Sequence, residues 1–402
     1  MPGRFVSKTW RYDPALDAPA AYRRACRYEA FVPEELASLE VRLPAPLIGL
    51  VSEAEQSIRQ LNDEGSAALG PLARLLLRTE SIASSKVEGM QLGVRELARA
   101  EAKAESGVAP APTAMEVLAN IDAMVLAVEE AAEAETFGDQ EIRAIHRRLL
   151  ENAPHKRIAG HLRSGQNWIG GNDYNPCGAD FVPPPPEDVD RLLADLCKAI
   201  NDQSLSPLVQ AALVHAQFET IHPFDDGNGR SGRALVHVVF RRRGIAPRFL
   251  PPISVVFAGA RDRYITALSR FRSDENGVAE WLEHFAAATV RAARLAQAYV
   301  TAVAALQEQW REKVRATTST PRADAAMWAI IDVLPAHPMI SAPVATAVTE
   351  RAKSRVYEAI EQLVSAGVLV RLSGGKRNRW WEAAGLLDLI ARLEAGQLPP
   401  VL

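Results

Sequence analysis

The chain has 402 residues, 48% of them hydrophobic, and its 46 Lys and Arg against 49 Asp and Glu give a formal net charge of -3. This length and composition exclude a disordered tail and a small disulfide-stabilised scaffold, and the near-neutral charge excludes a chain-wide attraction to polyanions. The three cysteines, Cys26, Cys177 and Cys197, form no CxxC pair, so we expect free thiols in a reducing compartment. Because no stretch of about 20 residues is continuously apolar, we expect a cytoplasmic protein without a membrane span.

Apolar residues at helical spacing predict a mainly α-helical protein. Residues 1–46 lack that pattern and are expected to be irregular, whereas the first helix is expected to begin near Leu47. Further helices are predicted over 114–134, 139–150, 187–202 and 207–220. We therefore expect most of the chain to be a bundle of helices.

One stretch among these helices, 160–186, has a different pattern. Trp168-Ile169 is followed by Gly-Gly-Asn-Asp, which favours a reversal of the chain, and four consecutive prolines end the stretch. Proline cannot continue a helix or a central strand. We therefore expect a β-hairpin flap that is closed by extended, polyproline-like chain.

The helical pattern restarts after the short polar segment 317–321. Three helices and then two strands are predicted, over 324–334, 343–350, 353–366, 368–372 and 378–382. Three helices followed by a hairpin are the order of a winged helix-turn-helix domain. We expect such a domain at the C-terminal end of this sequence.

The chemically dense segment runs from His222 to Arg233 and reads His-Pro-Phe-Asp-Asp-Gly-Asn-Gly-Arg-Ser-Gly-Arg, followed directly by an apolar helix. Backbone N–H groups at a helix start, with Gly227 and Gly229 permitting close approach, form a cradle for phosphate groups. Arg230 and Arg233 lie one turn apart, so both can face the same ligand. The segment therefore predicts a site for a phosphate-containing ligand.

Two further side chains of this segment suit the transfer of a phosphate group. Asp226 supplies a hard oxygen ligand that can hold Mg²⁺ on the same phosphates. His222 is the one side chain of the segment that is suited to accept a proton near neutral pH. Together with the cradle, these residues predict phosphate-group transfer.

Other interpretations of this segment fit less well. Residues 227–232 match GxGxxG, but no β-branched strand precedes them, as a dinucleotide-binding fold requires. Glu219-x-x-His222 is half of a di-iron carboxylate motif whose second half is missing from the sequence. His215 could share a helix face with these two residues, but without an HExxH motif a satisfied helix-face histidine is the better interpretation. No P-loop motif occurs.

Residues 222–233 reproduce every fixed position of HPFx(D/E)GNGRxxR, and the chain thereby resembles the Fic family of nucleotidyltransferases, most of which are adenylyltransferases. The flap with its trailing prolines, the Arg261-x-x-Tyr264 helix and the C-terminal winged helix also resemble multidomain Fic proteins. The resemblance implies a Fic-type helical bundle in which His222 deprotonates a Ser, Thr or Tyr hydroxyl of a protein target. That hydroxyl attacks the α-phosphorus of ATP, AMP is transferred and pyrophosphate leaves. The target is unknown, and self-modification and a homodimer are left open.

The resemblance also implies how ATP and Mg²⁺ are bound. Asp226 would hold Mg²⁺ between the α- and β-phosphates, and Tyr264 would line the pocket of the base. The residues that surround the phosphates would be Gly227, Asn228, Gly229, Arg230 and Arg233. In the family the flap docks the target by main-chain pairing, for which the candidates are Trp168, Ile169 and Gly170. An ordinary aromatic contact of Trp168 with the core is left open.

A second family element lies far upstream, where Ser84-Ser-Lys-Val-Glu88-Gly89 fits the inhibitory motif (S/T)xxxE(G/N). In related proteins this glutamate pairs with the second arginine of the signature, here Arg233, and displaces the γ-phosphate. We therefore expect the protein to be autoinhibited. In some members the same glutamate positions water for AMP removal, so that direction and the use of another nucleotide donor are left open.

A DNA-binding regulator is the alternative from another functional class. Lys353 and Arg355 open the predicted recognition helix, and Lys376 and Arg377 make the predicted wing basic. Winged helices also dock proteins, so both kinds of partner are left open. The implied domains are an N-terminal helical region with the inhibitory motif, a Fic catalytic domain and a winged-helix domain, over 1–106, 107–316 and 322–402.

Overall fold

The structure is a computed structural model. It describes residues 1–12, 14, 17–63, 70–105, 109–273, 276–317, 322, 325–372 and 379–400. The chain divides into two compact units. The first comprises Met1–Glu55, Asp122–Ile245 and Arg261–Ala287, and the second comprises Gln56–Ile121, Ala246–Ala260 and Ala288–Leu402.

Helices dominate both units, which confirms the prediction of a mainly α-helical protein. The strands are β1 (Gly3–Trp10), β2 (Cys26–Pro33), β3 (Met339–Ser341), β4 (Leu369–Arg371) and β5 (Trp380–Ala383). The helices are α1 (Ala45–Asp63), α2 (Gly70–Val87), α3 (Val94–Glu105), α4 (Pro112–Glu129), α5 (Asp139–Leu150), α6 (Pro186–Asn201), α7 (Pro207–Ile221), α8 (Asn228–Arg242), α9 (Ile253–Gly259), α10 (Arg261–Ser273), α11 (Gly277–Thr317), α12 (Ala326–Val333), α13 (Ala342–Thr349), α14 (Lys353–Ser365) and α15 (Leu386–Glu394). Across the ranges that the structure describes, no helix is both long and apolar enough to cross a membrane.

The first unit is organised around α7, whose residues from Leu208 to Ile221 are all buried. Pro207 starts this helix, at a position where a proline sacrifices no helical hydrogen bond. Apolar and small side chains on every face of α7 allow α6, α8 and α10 to pack around it. The buried helix therefore fixes the position of the loop that follows it, at His222.

The N-terminal part of the first unit is a β-hairpin. β1 pairs antiparallel with β2 over eight residues, from Gly3 opposite Pro33 to Trp10 opposite Cys26. This corrects the expectation that residues 1–46 are irregular. The side chains of β1 are mostly exposed, so the alternation of apolar and polar residues that marks a half-buried strand is weak in its sequence.

The predicted flap is held together by one antiparallel bridge between Ile169 and Phe181. The Ile169 N–H donates to the Phe181 carbonyl at 2.8 Å, and the Phe181 N–H donates to the Ile169 carbonyl at 3.1 Å. The second arm also lies beside β2, because the Phe31 N–H donates to the Val182 carbonyl at 2.9 Å. The four prolines then lead into α6, which begins at Pro186.

Two of the three cysteines are paired, which corrects the expectation that all are free thiols. Cys26, at the start of β2, forms a disulfide with Cys177 in the flap, with a Cα–Cα distance of 6.1 Å. The two residues are 151 positions apart, so their proximity depends on the hairpin that the sequence did not predict. Cys197 stays a thiol on α6, where burial raises its pKa to about 12.

The second unit has its own apolar core, to which α11 and the C-terminal segment contribute Trp310 and Trp381, both nearly inaccessible to solvent. α2 is buried along most of its length, including polar residues in its second half. Asn120 of α4 donates to the Ser81 carbonyl at 2.6 Å and to the Ser85 hydroxyl at 3.0 Å. These hydrogen bonds satisfy polar groups that burial would otherwise destabilise.

The C-terminal segment contains α12, α13, α14, β4 and β5 in the predicted order. The short strand β3, which was not predicted, pairs with β5 and gives an antiparallel sheet of order β3-β5-β4. Lys353 and Arg355 are exposed on the first turn of α14, whereas Lys376 and Arg377 lie outside the described residues. The winged-helix assignment stays a prediction.

Candidate active site

His222 follows the last residue of α7 in a left-handed backbone conformation, with φ 50° and ψ 60°. This conformation costs a residue other than glycine about 1 to 2 kcal/mol. Two donors hold the His222 carbonyl in place: Arg163 Nε at 2.9 Å and Asn167 Nδ2 at 3.1 Å. His222 is therefore fixed by its surroundings in a conformation that its own backbone disfavours.

Arg163 joins the flap to the loop after α7. Besides His222, its guanidinium donates to the Gly165 carbonyl at 3.0 Å and to the Pro184 carbonyl at 2.6 Å. Its own N–H donates to the Pro223 carbonyl at 3.0 Å. Burial lowers the pKa of Arg163 to about 10, so the guanidinium still carries its charge at neutral pH. One side chain therefore positions both flap arms and the histidine backbone.

The loop between α7 and α8 is closed by a reciprocal pair. The Phe224 N–H donates to Asn228 Oδ1 at 2.9 Å, and Asn228 Nδ2 donates to the Phe224 carbonyl at 2.8 Å. Gly227 caps α8 with φ 78°, a conformation that glycine adopts without a steric penalty. The Asn228 side chain thus shapes the loop, and the first N–H groups of α8 lie where the phosphate cradle is expected.

His146 of α5 holds the loop between α7 and α8 through a hydrogen bond and a ring contact. Its Nδ1 accepts a hydrogen bond from the Gly160 N–H at 2.9 Å, which places the ring proton on Nε2, 2.9 Å from the Asp226 carbonyl. The ring stacks on Phe224 with centroids 3.6 Å apart. Burial lowers the pKa of His146 to about 4, so the ring is neutral near pH 7 and donates to the loop.

The two signature arginines lie on the first turns of α8 and are each only 2% exposed. Asp226 lies in the loop just before α8, and its side chain is 53% exposed. Its Oδ1 accepts from the Gly227 N–H at 2.6 Å, and its Oδ2 lies 3.7 Å from Arg230 Nη2. Guanidinium charge and helix N–H groups thus surround the region in which Arg230 and Arg233 were predicted to meet phosphates.

Asp226 fits the role of a magnesium ligand. Mg²⁺ in enzymes of phosphate transfer is commonly held by one or two carboxylates together with the substrate phosphates. The half-exposed Asp226 carboxylate beside the helix start provides one such oxygen donor. In the described part of the chain, no group of three or more His, Cys, Asp or Glu could hold a metal ion by itself.

Glu219 lies one turn before His222 on α7, with Oε2 4.0 Å from His222 Nδ1. The distance is too long for a hydrogen bond, so Glu219 acts on the His222 ring through its charge alone. α8 approaches the same carboxylate closely at Gly232, where a Cβ would lie only 2.9 Å from Glu219 Oε1. Gly232 therefore permits the close packing of α7 against α8.

Arg272, which is partly buried, contacts the second arm of the flap. The guanidinium of Arg272 sits 3.7 Å from the centroid of the Phe181 ring, in a cation–π contact with the second flap arm. Burial lowers the pKa of Arg272 to about 10, and the charge of Glu219 opposes that shift. Arg272 therefore links the base of the flap electrostatically to the carboxylate beside His222.

Tyr264 of α10 is buried in an aromatic cluster with His215 and Trp281. Its hydroxyl lies within hydrogen-bond distance of His215 Nε2, at 2.9 Å. Burial lowers the pKa of His215 to about 3, so this ring is neutral. His215 thus lies in the packed interior with one ring nitrogen at hydrogen-bond distance from Tyr264, and its interpretation as a satisfied histidine stays a prediction.

The candidates for docking the target, Trp168, Ile169 and Gly170, are consecutive residues of the flap. Trp168 Nε1 donates to the Asn172 carbonyl at 2.6 Å, Ile169 makes the bridge to Phe181, and Gly170 has φ 74°. The Trp168 ring also meets Trp10 of β1 edge-on, with centroids 5.5 Å apart. Trp168 therefore belongs to an aromatic pair within the first unit.

The inhibitory segment belongs to the second unit. Ser84 is fully buried in α2, whereas Glu88 and Gly89 lie in the exposed turn that follows the helix. Gly89 has φ 84°, and its N–H donates to the Lys86 carbonyl at 3.0 Å. The turn therefore presents a carboxylate directly after a rigid, buried helix.

Sequence reasoning did not identify three residues that fix the geometry of the site: His146, Arg163 and Asn167. Each acts through backbone carbonyls of the loop after α7. Their only sequence signal is the polar run around Arg163 and Asn167 immediately before the flap. His146 carries none, because a histidine on an amphipathic helix is common.

Comparison with known sequences places this site within one family. The sequence model of the Fic/DOC family matches residues 136–240, and that of the Fic/DOC family N-terminal region matches residues 48–129. The first range contains the whole loop with His222, and the second contains the segment with Glu88. The resemblance expected from the motifs is confirmed.

Curated relatives are similar over part of the chain. The protein adenylyltransferase fic-1 of Caenorhabditis briggsae is 37% identical over 114 residues, which make up 28% of this chain and 20% of that protein. The protein adenylyltransferase Fic of Nematostella vectensis is 36% identical over 138 residues, 33% of this chain and 28% of that protein. The chain thus spans between 20% and 28% of the length of these relatives.

Solved structures share the fold. A Fic family protein from Desulfovibrio desulfuricans has a TM-score of 0.52 and 20% identity, over 86% of this chain and 98% of that chain. A Fic-domain signalling protein from Bacteroides thetaiotaomicron has the same TM-score and identity, over 63% of this chain and 97% of that chain. These likenesses confirm the Fic-type fold.

Proposed function

Because this chain belongs to the Fic/DOC family, we propose that it is a protein adenylyltransferase, which transfers AMP from ATP to a Ser, Thr or Tyr hydroxyl of a protein. The observation that carries the proposal is the placement of His222 at the end of α7, directly before a helix start flanked by two buried arginines. The loop thus combines a base with a site for a polyphosphate. The curated relatives are named protein adenylyltransferases, which supports this choice of reaction.

The chemistry follows from the positions of the side chains. His222 Nε2 accepts the proton of the acceptor hydroxyl, and Glu219 beside Nδ1 stabilises the resulting imidazolium. The hydroxyl oxygen then bonds to the α-phosphorus, the bond to the bridging oxygen breaks, and pyrophosphate leaves with both electrons of that bond. Arg230, Arg233 and the N–H groups of α8 neutralise the charge on the leaving phosphates. The rigid loop contributes positioning, which carries much of the catalysis in such reactions.

Asp226 would hold Mg²⁺ on the phosphates, and the bound ion would supply positive charge to the leaving group. The Asp226 carboxylate is supported for this role by its exposure and by the Gly227 N–H that orients it. Tyr264 is proposed to close the pocket of the base from α10. The flap, with Trp168 and Ile169, is proposed to dock the acceptor by main-chain pairing.

We further propose that Glu88 inhibits the transfer, as the family motif implies. Support comes from its place in an exposed turn fixed by the buried helix α2. A carboxylate that competes with phosphate for a signature arginine would weaken the productive binding of ATP. Removing this side chain is therefore expected to raise the rate of transfer.

The proposed reaction is tested by the position of the label that reaches protein. The Glu88→Gly chain is incubated with Mg²⁺ and ATP labelled at either the α- or the γ-phosphate. Adenylyl transfer predicts labelled protein from α-labelled ATP alone. Label from the γ-position would show phosphoryl transfer, and label from neither would point to AMP removal or another nucleotide donor; each would contradict the proposal.

A second candidate function, DNA contact by the C-terminal segment, is favoured by the exposure of Lys353, Arg355 and Tyr357 along the start of α14. Phosphate contacts by such a helix would make binding steeply dependent on salt. A gel shift of a duplex by the full chain, repeated at several salt concentrations, tests it. Binding that survives Lys353→Ala/Arg355→Ala would contradict this role.

A further inference from the structure

The β1–β2 hairpin ends at Pro33 and lies before both ranges that the family models match. The earlier of these ranges begins at residue 48. Within the first unit it contacts the flap at several points. The described residues of this hairpin therefore lie beside the part of the site proposed to dock the acceptor.

The attachment is covalent at one point and aromatic at three others, one of which is the contact of Phe31 with Phe181 at 6.3 Å between ring centroids. The disulfide joins Cys26 of β2 to Cys177 in the flap. Trp10, opposite Cys26 in the hairpin, meets Trp168 edge-on at 5.5 Å between centroids. Tyr22, in the connection between the strands, stacks on flap residue Tyr174 at 5.1 Å.

Hydrogen bonds extend the same attachment. Phe31 of β2 donates its N–H to the Val182 carbonyl at 2.9 Å, so the second flap arm lies beside β2 as a further strand would. Asn175 Nδ2 donates to the Tyr22 carbonyl at 3.1 Å. Lys8 of β1 pairs with Glu187 at 2.5 Å, just beyond the prolines that end the flap. Contacts are thus distributed along the whole flap.

The flap needs this support because its own pairing is minimal. A single bridge between Ile169 and Phe181 is less than an isolated two-stranded hairpin, which is itself marginally stable in water. A disulfide restricts the unfolded and open conformations of the chain between its ends. A strand that is to receive another strand by main-chain pairing has to be extended before the partner arrives, since ordering it afterwards would weaken binding.

We propose that the β1–β2 hairpin is a clamp that holds the flap in the extended conformation needed to dock the protein acceptor, with Trp10 and Cys26 as positioning residues. This inference rests on the proposed function, since it assigns the flap to acceptor binding. It predicts that the clamp affects the acceptor and leaves ATP binding unchanged, because His222 and α8 are held by other residues.

The test compares Cys26→Ser, Trp10→Ala and the wild-type full chain, with Cys197→Ala as the matched control for loss of a cysteine. Hydrogen exchange of the Ile169 and Phe181 amides reports the flap, and that of amides in α7 and α8 reports the rest of the unit. Mass spectrometry after alkylation under non-reducing conditions counts free thiols. A fluorescent ATP analogue gives nucleotide affinity.

We expect one alkylated thiol, Cys197, in the wild type. Flap amides are expected to exchange about tenfold faster or more in Cys26→Ser and Trp10→Ala, with α7, α8 and nucleotide affinity within about twofold of the wild type. Cys197→Ala should leave the flap amides unchanged. Unchanged flap exchange in the two clamp variants, or an equal increase throughout α7 and α8, would overturn the clamp.

Acceptor docking is measured in the Glu88→Gly background, with the His222→Ala chain carrying a larger tag as the acceptor in trans. The clamp variants should raise the KM for this acceptor several-fold with the KM for ATP unchanged. Faster flap exchange with an unchanged acceptor KM would overturn the docking role. Absence of AMP transfer by every chain, Glu88→Gly included, to itself and to the proteins of a host-cell lysate would instead refute the proposed function, while the exchange data would still decide whether the hairpin holds the flap.

Discussion

Lys86 Nζ lies 2.6 Å from Glu394 Oε2, so the segment that carries Glu88 is tied to the last helix, α15. The Glu394 side chain is 2% exposed and the Lys86 side chain 26%. Burial raises the pKa of Glu394, and the charge of Lys86 opposes this shift. A buried carboxylate of this kind depends on its partner to remain ionised.

Breaking this pair is expected to destabilise the protein. Glu394→Gln or Lys86→Met alone leaves one charge or polar group in a buried place without its partner, which costs about 1 to 3 kcal/mol. The double variant Lys86→Met/Glu394→Gln should be destabilised by less than the sum of the two single variants. Urea unfolding of the four proteins gives the coupling free energy, and additive effects of the two single variants would contradict a direct interaction.

The neutral His146 predicts a dependence of stability on pH. Its pKa is about 4 in the folded protein and about 6.5 when unfolded, so the unfolded state binds a proton first as the pH falls. The stabilisation is fully present above pH 6.5 and is lost progressively down to about pH 4.

His146→Gln keeps a donor for the Asp226 carbonyl and cannot titrate in this range. Denaturant unfolding at pH 7 and pH 5 should therefore show a smaller loss of stability for His146→Gln than for the wild type, by about 1 to 2 kcal/mol. Equal losses would show that His146 is not buried in its neutral form. The other buried histidines, such as His215, contribute equally to both proteins.

Arg163 should matter for the rate more than for nucleotide affinity. Lysine keeps the charge but cannot donate in several fixed directions to the carbonyls of His222, Gly165 and Pro184. In the Glu88→Gly background, Arg163→Lys is expected to lower kcat about tenfold or more, with the KM for ATP changed much less. An unchanged kcat in a folded variant would show that the His222 backbone is held without Arg163.

The substitution Gly232→Ala tests the packing of α7 against α8. A Cβ at this position would lie 2.9 Å from Glu219 Oε1 and 3.0 Å from Phe218 Cδ1, inside a buried interface. Gly232→Ala is expected to destabilise by about 1 to 3 kcal/mol and to lower activity by displacing Glu219. Gly49→Ala, at an exposed position of α1 with no atom near its Cβ, is the control and should stabilise by a few tenths to about 1 kcal/mol. Equal thermal midpoints for both variants would contradict the close approach.

The parts of the site that could be predicted are those that lie close together in the sequence. The base, the glycines and the arginines fall within residues 222–233, so one motif and the start of one helix specify them. His146 and Arg163 act on the same loop from 80 and 59 positions away, and single-sequence periodicity contains no information on such contacts. Helices such as those over 139–150 and 187–202 could be predicted because their apolar residues recur at helical spacing.

The hairpin and its disulfide were missed for a related reason. β1 exposes most of its side chains, so it lacks the alternation that marks a half-buried strand. Without a predicted hairpin, no feature of the sequence places Cys26 near Cys177. The error in the cysteines is therefore a consequence of the error in the fold of residues 1–33.

The measurement that tests the central claim most directly is the transfer of label from α-labelled ATP with Mg²⁺ to protein by three chains: wild type, Glu88→Gly and Glu88→Gly/His222→Ala. We predict strong labelling by Glu88→Gly, little by the wild type and none by the double variant. Labelling that persists without His222, or that is no stronger in Glu88→Gly than in the wild type at saturating ATP, would contradict an autoinhibited adenylyltransferase with His222 as its base.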